Sequence, residues 1–107
     1  MITKVIDFEV GADMHMSSLK GYVNTTYDKL VELFGKPEYS DADPYEKVNA
    51  EWTVETTVYD DFEEDEKTVK FSIYNWKTGS VPTEKYAWHV GGFSYDAVEA
   101  AEAIING

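Results

Sequence analysis

A run of acidic residues lies near the middle of the chain. Six carboxylates occupy seven consecutive positions there: Asp60, Asp61, Glu63, Glu64, Asp65 and Glu66. Like charges this close together remain solvated, bind cations or face a basic partner. The run has no glycine and lacks the D-x-[DN]-x-[DN]-G order of a calcium loop. A solvated loop and a partner-binding surface therefore both remain open, and a metal site is not expected.

Glu51 and Glu55 extend the same chemistry upstream, on the polar side of an alternating stretch. Alternate residues of a strand are about 6.6 to 6.8 Å apart, a repeat that can imitate a row of phosphates. A carboxylate track that continues into the acidic run would suit the basic groove of a nucleic-acid enzyme. An ordinary charged outer face of a sheet explains the same pattern.

Aromatic residues offer a second kind of site. Tyr74 and Trp76 fall on the side of their segment opposite the apolar residues, and exposed aromatics often mark binding surfaces. Together with Trp88 and His89 they could line an aromatic pocket for a small ligand such as a nucleotide. A covering N-terminal segment would instead bury them.

Catalytic and cofactor motifs are absent from the sequence. There is no cysteine, no G-x-S-x-G and no H-E-x-x-H. The segment WHVGGFS at 88–94 lacks both G-x-G-x-x-G and the lysine of a P-loop, so a tight strand-to-helix turn is favoured over a phosphate site. We therefore expect a protein that is not an enzyme and holds no cofactor.

Composition limits the partners. The chain has 107 residues, 43% of them hydrophobic, and a net charge of −12, which predicts a single globular domain over 1–107. A negative field repels nucleic acid and anionic membranes and attracts basic proteins, although acidity also serves solubility. The first residues do not resemble a signal peptide and no apolar run is long enough to cross a membrane, so a cytoplasmic location is expected.

A long β-hairpin must position the acidic residues. Two alternating apolar runs, 48–59 and 68–76, flank the acidic segment at 60–66, which would form the hairpin tip. A period of two predicts strands with one buried and one solvated face. On the solvated face we expect cross-strand charge pairs that involve Lys67, Lys70, Glu51 and Glu55.

The remaining elements complete an α+β pattern. We expect an antiparallel sheet of about four to five strands, with a central meander over 48–90 and two helices packed on one face. An uncovered edge strand would also allow a homodimer. The other predicted features are a strand over 2–10 with Ile2, Ile6, Phe8 and Val10 on one side, a short strand within 15–23, a helix capped by Thr25 that ends at Gly35 and Pro37, a strand over 86–90, and a helix capped by Ser94 with Ala97, Val98, Ala101, Ile104 and Ile105 buried.

Four short motifs together resemble a family of small, mostly uncharacterised proteins encoded by bacteriophages. They are FGKP at 34–37, AEW at 50–52, SIYNWK at 72–77 and WHVGG at 88–92, within a resemblance that covers 17–105. In that family a helix ending in FG-x-P precedes strands with E-W, I-Y-N/D-W-K and W-H-I/V-G-G. The resemblance implies a phage setting, in which small acidic proteins often disable host defence or nucleic-acid enzymes. The long acidic tip is a departure from the family's shorter hairpin.

These observations favour a non-catalytic phage accessory protein. It would bind and inhibit a host protein with a basic surface, in the manner of an anti-CRISPR or anti-restriction protein, through the acidic residues and the face of Tyr74 and Trp76. One alternative is a protein that binds a small ligand or nucleotide in an aromatic pocket. Another is a structural or assembly component of the virion.

Overall fold

Strands and helices follow one another in the order β, β, α, β, β, β, α. The computed structural model describes residues 1–38, 48, 50–78 and 80–107. The predicted loop over 39–47 and the breaker Gly79 lie outside these described residues. The elements are β1 Ile2–Val10, β2 Ser18–Thr25, α1 Tyr27–Phe34, β3 Glu51–Asp60, β4 Asp65–Tyr74, β5 Tyr86–Gly92 and α2 Asp96–Asn106.

The strands form one antiparallel sheet in the order β1-β3-β4-β5-β2. Its centre is the hairpin of β3 and β4, which pair without interruption from Glu51 opposite Tyr74 to Asp60 opposite Asp65. β1 joins the outer side of β3 and β2 joins the outer side of β5. The predicted α+β class, hairpin and central meander are therefore confirmed, and the two N-terminal strands lie at opposite edges.

Both helices pack on one face of this sheet and enclose the core with it. All five residues of the stripe predicted for α2 are buried. From α1, the Phe34 ring meets Phe8 and Phe71 with centroid distances of 5.5 and 6.1 Å. Trp52 and Trp88 lie in the same layer, 5.6 Å apart. The apolar side of the alternating strands is thus the side that the helices cover.

α2 approaches the sheet closely because two glycines face it. A Cβ on Gly21 would lie 2.9 Å from Cγ2 of Val98, and a Cβ on Gly92 would overlap the Cβ of Ala97. Real Cβ atoms do not tolerate such contacts without a shift of one element. The two glycines therefore set how closely the helix can pack.

The ends of α1 show one confirmed signal and one correction. Gly35 has φ 84°, and its N–H donates to the carbonyl of Val31 at 2.8 Å, so the helix stops where predicted. The N-cap is Thr26, whose Oγ1 accepts the N–H of Lys29 at 3.2 Å. The predicted cap Thr25 was wrong because β2 continues through Thr25, which is buried.

The start of α2 also differs from the sequence prediction. The N-cap position is Tyr95, which makes no side-chain capping bond. Ser94 contributes through its backbone instead, since its carbonyl accepts the N–H of Ala97 at 3.1 Å. The prediction of Ser94 as a side-chain cap was therefore wrong, although the helix begins within two residues of it.

β1 departs from strict alternation. It has two register irregularities against β3, each of which adds a residue and reverses the side-chain parity. Its partly buried residues that pack against the core are Ile2, Val5 and Phe8, whereas Ile6 and Val10 are exposed. The prediction of one shared side was therefore wrong for Ile6, whereas Val10 lies on the same side as Ile2 and Phe8, opposite Val54, but is exposed at the end of the strand.

The close approach of α2 can be tested with Gly92→Ala. The added methyl overlaps Ala97, so we expect the free energy of unfolding to fall by about 2 kcal/mol, the typical cost of overpacking a core. Denaturant unfolding followed by tryptophan fluorescence measures the change. The double variant Gly92→Ala/Ala97→Gly should regain part of the loss, and a Gly92→Ala protein as stable as the wild type would show that the helix is not held this close.

Candidate partner-binding surface

The face of the sheet opposite the helices is called the open face. Directly opposed residues of an antiparallel pair share a face, so the register of β3 and β4 assigns its side chains. The central rows are Glu51 with Tyr74, Thr53 with Ser72, Glu55 with Lys70, Thr57 with Thr68, and Tyr59 with Glu66. Both predicted carboxylates of the first arm, Glu51 and Glu55, and the predicted aromatic Tyr74 thus share this face.

β1 brings two further acids to the open face. Glu9 lies directly opposite Glu55, and Asp7 lies opposite Thr57. Like charges in direct opposition destabilise a sheet. Lys70 offsets part of this repulsion, since its Nζ lies 4.0 Å from Oε1 of Glu55 as predicted. The open-face acids are therefore Asp7, Glu9, Glu51 and Glu55.

Glu51 has the most perturbed environment of the open-face acids. Its side chain is half-buried, and burial raises the pKa of its carboxyl, with a smaller contribution from the negative charge of Glu38. The two residues are held together because the Glu38 N–H donates to the Glu51 carbonyl at 3.0 Å. Two carboxylates are therefore held close together at the start of β3, where burial disfavours the ionised form of Glu51.

The predicted carboxylate track does not continue along β3. The next open-face positions after Glu55 are Thr57 and Tyr59, and Asp60 turns to the helix side. Five residues of strand, about 17 Å, separate Glu55 from Asp60. The open-face acids and the acidic run are therefore two separate surfaces.

The acidic run is shorter as a loop than predicted. Only residues 61–64 form the turn, because Asp60 ends β3 and Asp65 begins β4. Phe62 at the turn is 88% exposed, a feature that sequence reasoning missed. The exposed carboxylates of this region form the hairpin end, which consists of Asp61, Glu63, Glu64, Asp65 and Glu66.

Asp60 corrects the prediction that all six carboxylates are available to a partner. It is only 4% exposed, and its Oδ2 accepts a hydrogen bond from Nζ of Lys67 at 2.8 Å. Its Oδ1 accepts the backbone N–H groups of Phe62 at 2.8 Å and Glu63 at 3.3 Å. The carboxylate therefore organises the turn from inside and is already occupied by donors.

Lys67 likewise differs from its expected position near Glu51 and Glu55. It lies opposite Val58 on the helix side, where its Nζ also contacts Oδ2 of Asp96 at 3.0 Å. The hydrogen bond to Asp60 raises the pKa of Lys67, and the same bond holds the pKa of the Asp60 carboxyl well below its usual range. Lys67 thus ties the hairpin to the start of α2.

Aromatic residues gather on the other half of the open face. The His89 ring lies 4.9 Å from that of Tyr22 and 5.4 Å from that of Tyr74. Nδ1 of His89 is buried and has no hydrogen-bond partner among the described residues, and burial lowers the pKa of this imidazole. Trp76 follows the end of β4, is 41% exposed and has Nζ of Lys77 at 5.8 Å from its ring centre.

Trp88 does not belong to this aromatic cluster. It is fully buried on the helix side, and its Nε1–H donates to the carbonyl of Thr25 at 3.2 Å. Its predicted place in an aromatic pocket was therefore wrong. Tyr22 lies beside His89 in the aromatic cluster instead. Alternation alone could not show this, because the strand that pairs with β2 was unknown.

Other site classes find no support in the described part of the chain. No group of three or more His, Cys, Asp or Glu residues is arranged to hold a metal ion among residues 1–38, 48, 50–78 and 80–107. Within the same residues, no helix has both the length and the apolarity needed to cross a membrane.

Comparison with protein-family models, with curated proteins and with solved structures gave no match. Fold and surface together define the class as an α+β protein with a two-helix layer on one face of an antiparallel sheet and acidic residues on the other. The resemblance to phage-encoded proteins stays a prediction.

The role of Asp60 can be tested through the pH dependence of stability. At pH 7 Asp60→Asn should melt several degrees below the wild type, whereas the neighbouring exposed-site variant Asp61→Asn should change little. Because the pKa of Asp60 is depressed in the folded state, its contribution is complete above the ordinary aspartate pKa of about 3.9 and declines progressively as the pH falls below that value toward the depressed pKa of the folded state. The gap between the melting temperatures of the two proteins should therefore narrow from pH 7 to pH 2, and a constant gap would contradict the ion pair.

Proposed function

We propose that this chain is a non-catalytic accessory protein that binds a basic surface on a host protein and blocks it. The target class is a nucleic-acid-binding or defence protein, of the kind engaged by anti-CRISPR or anti-restriction proteins. The hairpin end supports the proposal most directly, because five exposed carboxylates surround a turn that the buried Asp60 holds in place.

Rigidity matters to this proposal because ordering a flexible charged loop on binding costs free energy. In the hairpin end that cost is reduced in advance. Asp60 accepts two backbone N–H groups of the turn, and Lys67 connects the same carboxylate to Asp96 at the start of α2. The exposed carboxylates therefore project from a preorganised backbone.

The open-face acids give independent support. Glu9 and Glu55 oppose each other directly, an arrangement that works against sheet stability. Function often keeps destabilising arrangements at binding sites, where removing them would stabilise the fold. With a net charge of −12, the chain would also steer toward a basic partner over a long range, and this attraction weakens as salt rises.

Affinity capture from a bacterial host lysate tests the proposal with matched charge variants. One variant neutralises four acids of the hairpin end, namely Asp61→Asn, Glu64→Gln, Asp65→Asn and Glu66→Gln. Rim charges contribute about 0.2 to 1 kcal/mol each, so recovery of a specific partner should fall by about tenfold. The captured protein should also lose nucleic-acid binding or cleavage when the wild-type chain is added.

The control neutralises four exposed acids elsewhere, namely Asp28→Asn, Glu32→Gln, Glu84→Gln and Glu102→Gln. It has the same net charge as the hairpin-end variant, so it separates a surface effect from a general charge effect. Equal recovery with both variants, or capture of no basic protein at low and moderate salt, would contradict the proposal.

A small-ligand function is the second candidate, and His89 is the observation that favours it. Its buried Nδ1 lacks a partner among the described residues and lies in a cluster with the rings of Tyr22 and Tyr74. An unsatisfied buried acceptor or donor is costly unless a ligand or water completes it. A planar nucleobase that enters this cluster with a shift of the tyrosine rings would stack on them and bond to this nitrogen.

Melting shifts with a panel of nucleotides test this second candidate. A nucleotide at 100 times its dissociation constant should stabilise the folded chain by about 2.7 kcal/mol, which is visible as a rise in melting temperature. Tyr22→Leu should abolish the shift, whereas Tyr95→Leu, which removes an exposed tyrosine from the β5–α2 connection, should retain it. No shift with any nucleotide would exclude this ligand class.

A further inference from the structure

The central hairpin extends beyond its neighbour on one side. All ten residues of β4 pair with β3, but β5 pairs only with the four residues Phe71–Tyr74. In the part of the chain that the structure describes, no strand pairs with the second edge of β4 over residues 65–70. This segment is called the free edge of β4.

Hydrogen bonds at the start of β3 show which way its backbone groups point. The Thr53 carbonyl accepts the N–H of Gly11 at 2.7 Å, and the Glu51 carbonyl accepts the N–H of Glu38 at 3.0 Å. The backbone N–H and C=O groups of odd-numbered residues of β3 therefore point away from β4, and those of even-numbered residues point toward it. Since the two strands pair without a bulge, the residues of the free edge whose backbone groups point away from β3 are Glu66, Thr68 and Lys70.

Two observations agree with this direction. The N–H of Glu66 donates to Oδ1 of Asp65 at 2.8 Å, so it is not part of the ladder with β3. The carbonyl oxygen of Lys70 lies 3.4 Å from the position that a Cβ on Gly92 would take, on the β5 side. The N–H and C=O of Thr68 and the N–H of Lys70 thus point into the space beyond the end of β5, whereas the carbonyl of Lys70 lies against Gly92.

A cleft occupies that space. It has a volume of about 400 Å³ and lies between the free edge of β4 and the connection from β5 to α2. An exposed phenylalanine, Phe93, forms part of its apolar wall. The lining residues are Thr68, Val69, Lys70, Phe93, Ser94 and Asp96.

The free edge lacks the protection that the outer strands have. β1 and β2 each contain register irregularities, which disfavour pairing with another chain, whereas β4 contains none. Lysines often protect edges, but Lys67 is engaged by Asp60 and Asp96, and Lys70 lies near Glu55. An unbulged edge with outward main-chain groups is a template for an added strand.

Charge indicates which strand would be added. The free edge is flanked by the hairpin end and by Asp96, and its two lysines already face carboxylates. A second copy of this chain would bring its own acidic hairpin end against the first, with a charge of −12 on each. An extended segment with basic side chains would instead be attracted by these carboxylates.

We infer that the free edge of β4 binds an extended, basic peptide segment of the partner by strand addition. This inference rests on the proposed function, because it assigns the place and the backbone conformation in which the basic partner is held. Thr68 and Lys70 supply main-chain hydrogen bonds, Phe93 contacts an apolar side chain, and the carboxylates of the hairpin end face the basic ones.

A defined peptide tests the inference without knowledge of the natural partner. The probe is a short, acetylated and amidated peptide of alternating arginine and valine, together with the same peptide methylated on its backbone nitrogens. Titration calorimetry at two salt concentrations should show binding of the first peptide and at least about tenfold weaker binding of the second, which keeps the charge but cannot donate hydrogen bonds.

Two variants and one spectroscopic measurement locate the bound strand. Thr68→Pro removes an outward N–H and leaves the ladder with β3 intact, so it should weaken binding by about tenfold, whereas Thr68→Val retains the N–H and should bind normally. In the wild type, hydrogen exchange should slow at the amides of Thr68 and Lys70 when the peptide is added. This measurement needs no variant and stands if Thr68→Pro fails to fold.

The outcomes separate this inference from the proposed function. Equal, salt-sensitive binding of both peptides, without protection of the Thr68 amide, overturns strand addition and leaves charge-based binding in place. Absence of binding by the unmethylated peptide overturns the inference, while the lysate capture decides the proposed function separately. A dimer of the free chain that Thr68→Pro converts to a monomer would assign the edge to a second copy and would also overturn it.

Discussion

The ion pair between Asp60 and Lys67 links the parts of this molecule on which its surface depends. One carboxylate, almost fully removed from solvent, accepts hydrogen bonds from a lysine and from two backbone groups of the turn. The lysine in turn contacts Asp96 at the first residue of α2. A buried charge is tolerated only when such partners satisfy it. The pair therefore joins the end of the hairpin to the helix layer, and the exposed carboxylates around it are displayed on a fixed backbone.

Much of the fold could be predicted from local patterns. The alternation over 48–59 and 68–76 identified the hairpin, and Gly35 marked the end of α1, because both signals act over a few residues. The buried position of Asp60 also had a local signal, since it shares its parity with Trp52 and Val58. A charged residue on the apolar parity at the end of a strand indicates a buried pair, and Lys67 holds the corresponding place on β4.

The rest depended on long-range pairing that local patterns do not encode. Glu9 reaches Glu55, and Tyr22 reaches His89, only because β1 and β2 join particular strands distant in sequence. The inward residues of β1 could not be assigned because its irregularities change the parity within the strand. The candidate surface was thus half visible in the sequence: its acidic residues could be named, but neither their separation into two surfaces nor their neighbours could.

The position of the two N-terminal strands has a consequence for how the chain folds. Val10 pairs with Val54, and Ser18 pairs with Gly92, so the seven-residue link at 11–17 connects opposite edges of the sheet at one level. Four interstrand spacings, about 19 Å, lie between those edges, which is about 70% of the fully extended length of the eight Cα–Cα steps from Val10 to Ser18. β1 and β2 therefore cannot satisfy their backbone groups through each other. β1 and β2 can complete their pairing only after β3, β4 and β5 have assembled between them. The topology is therefore rich in contacts between residues distant in sequence, which favours slow folding.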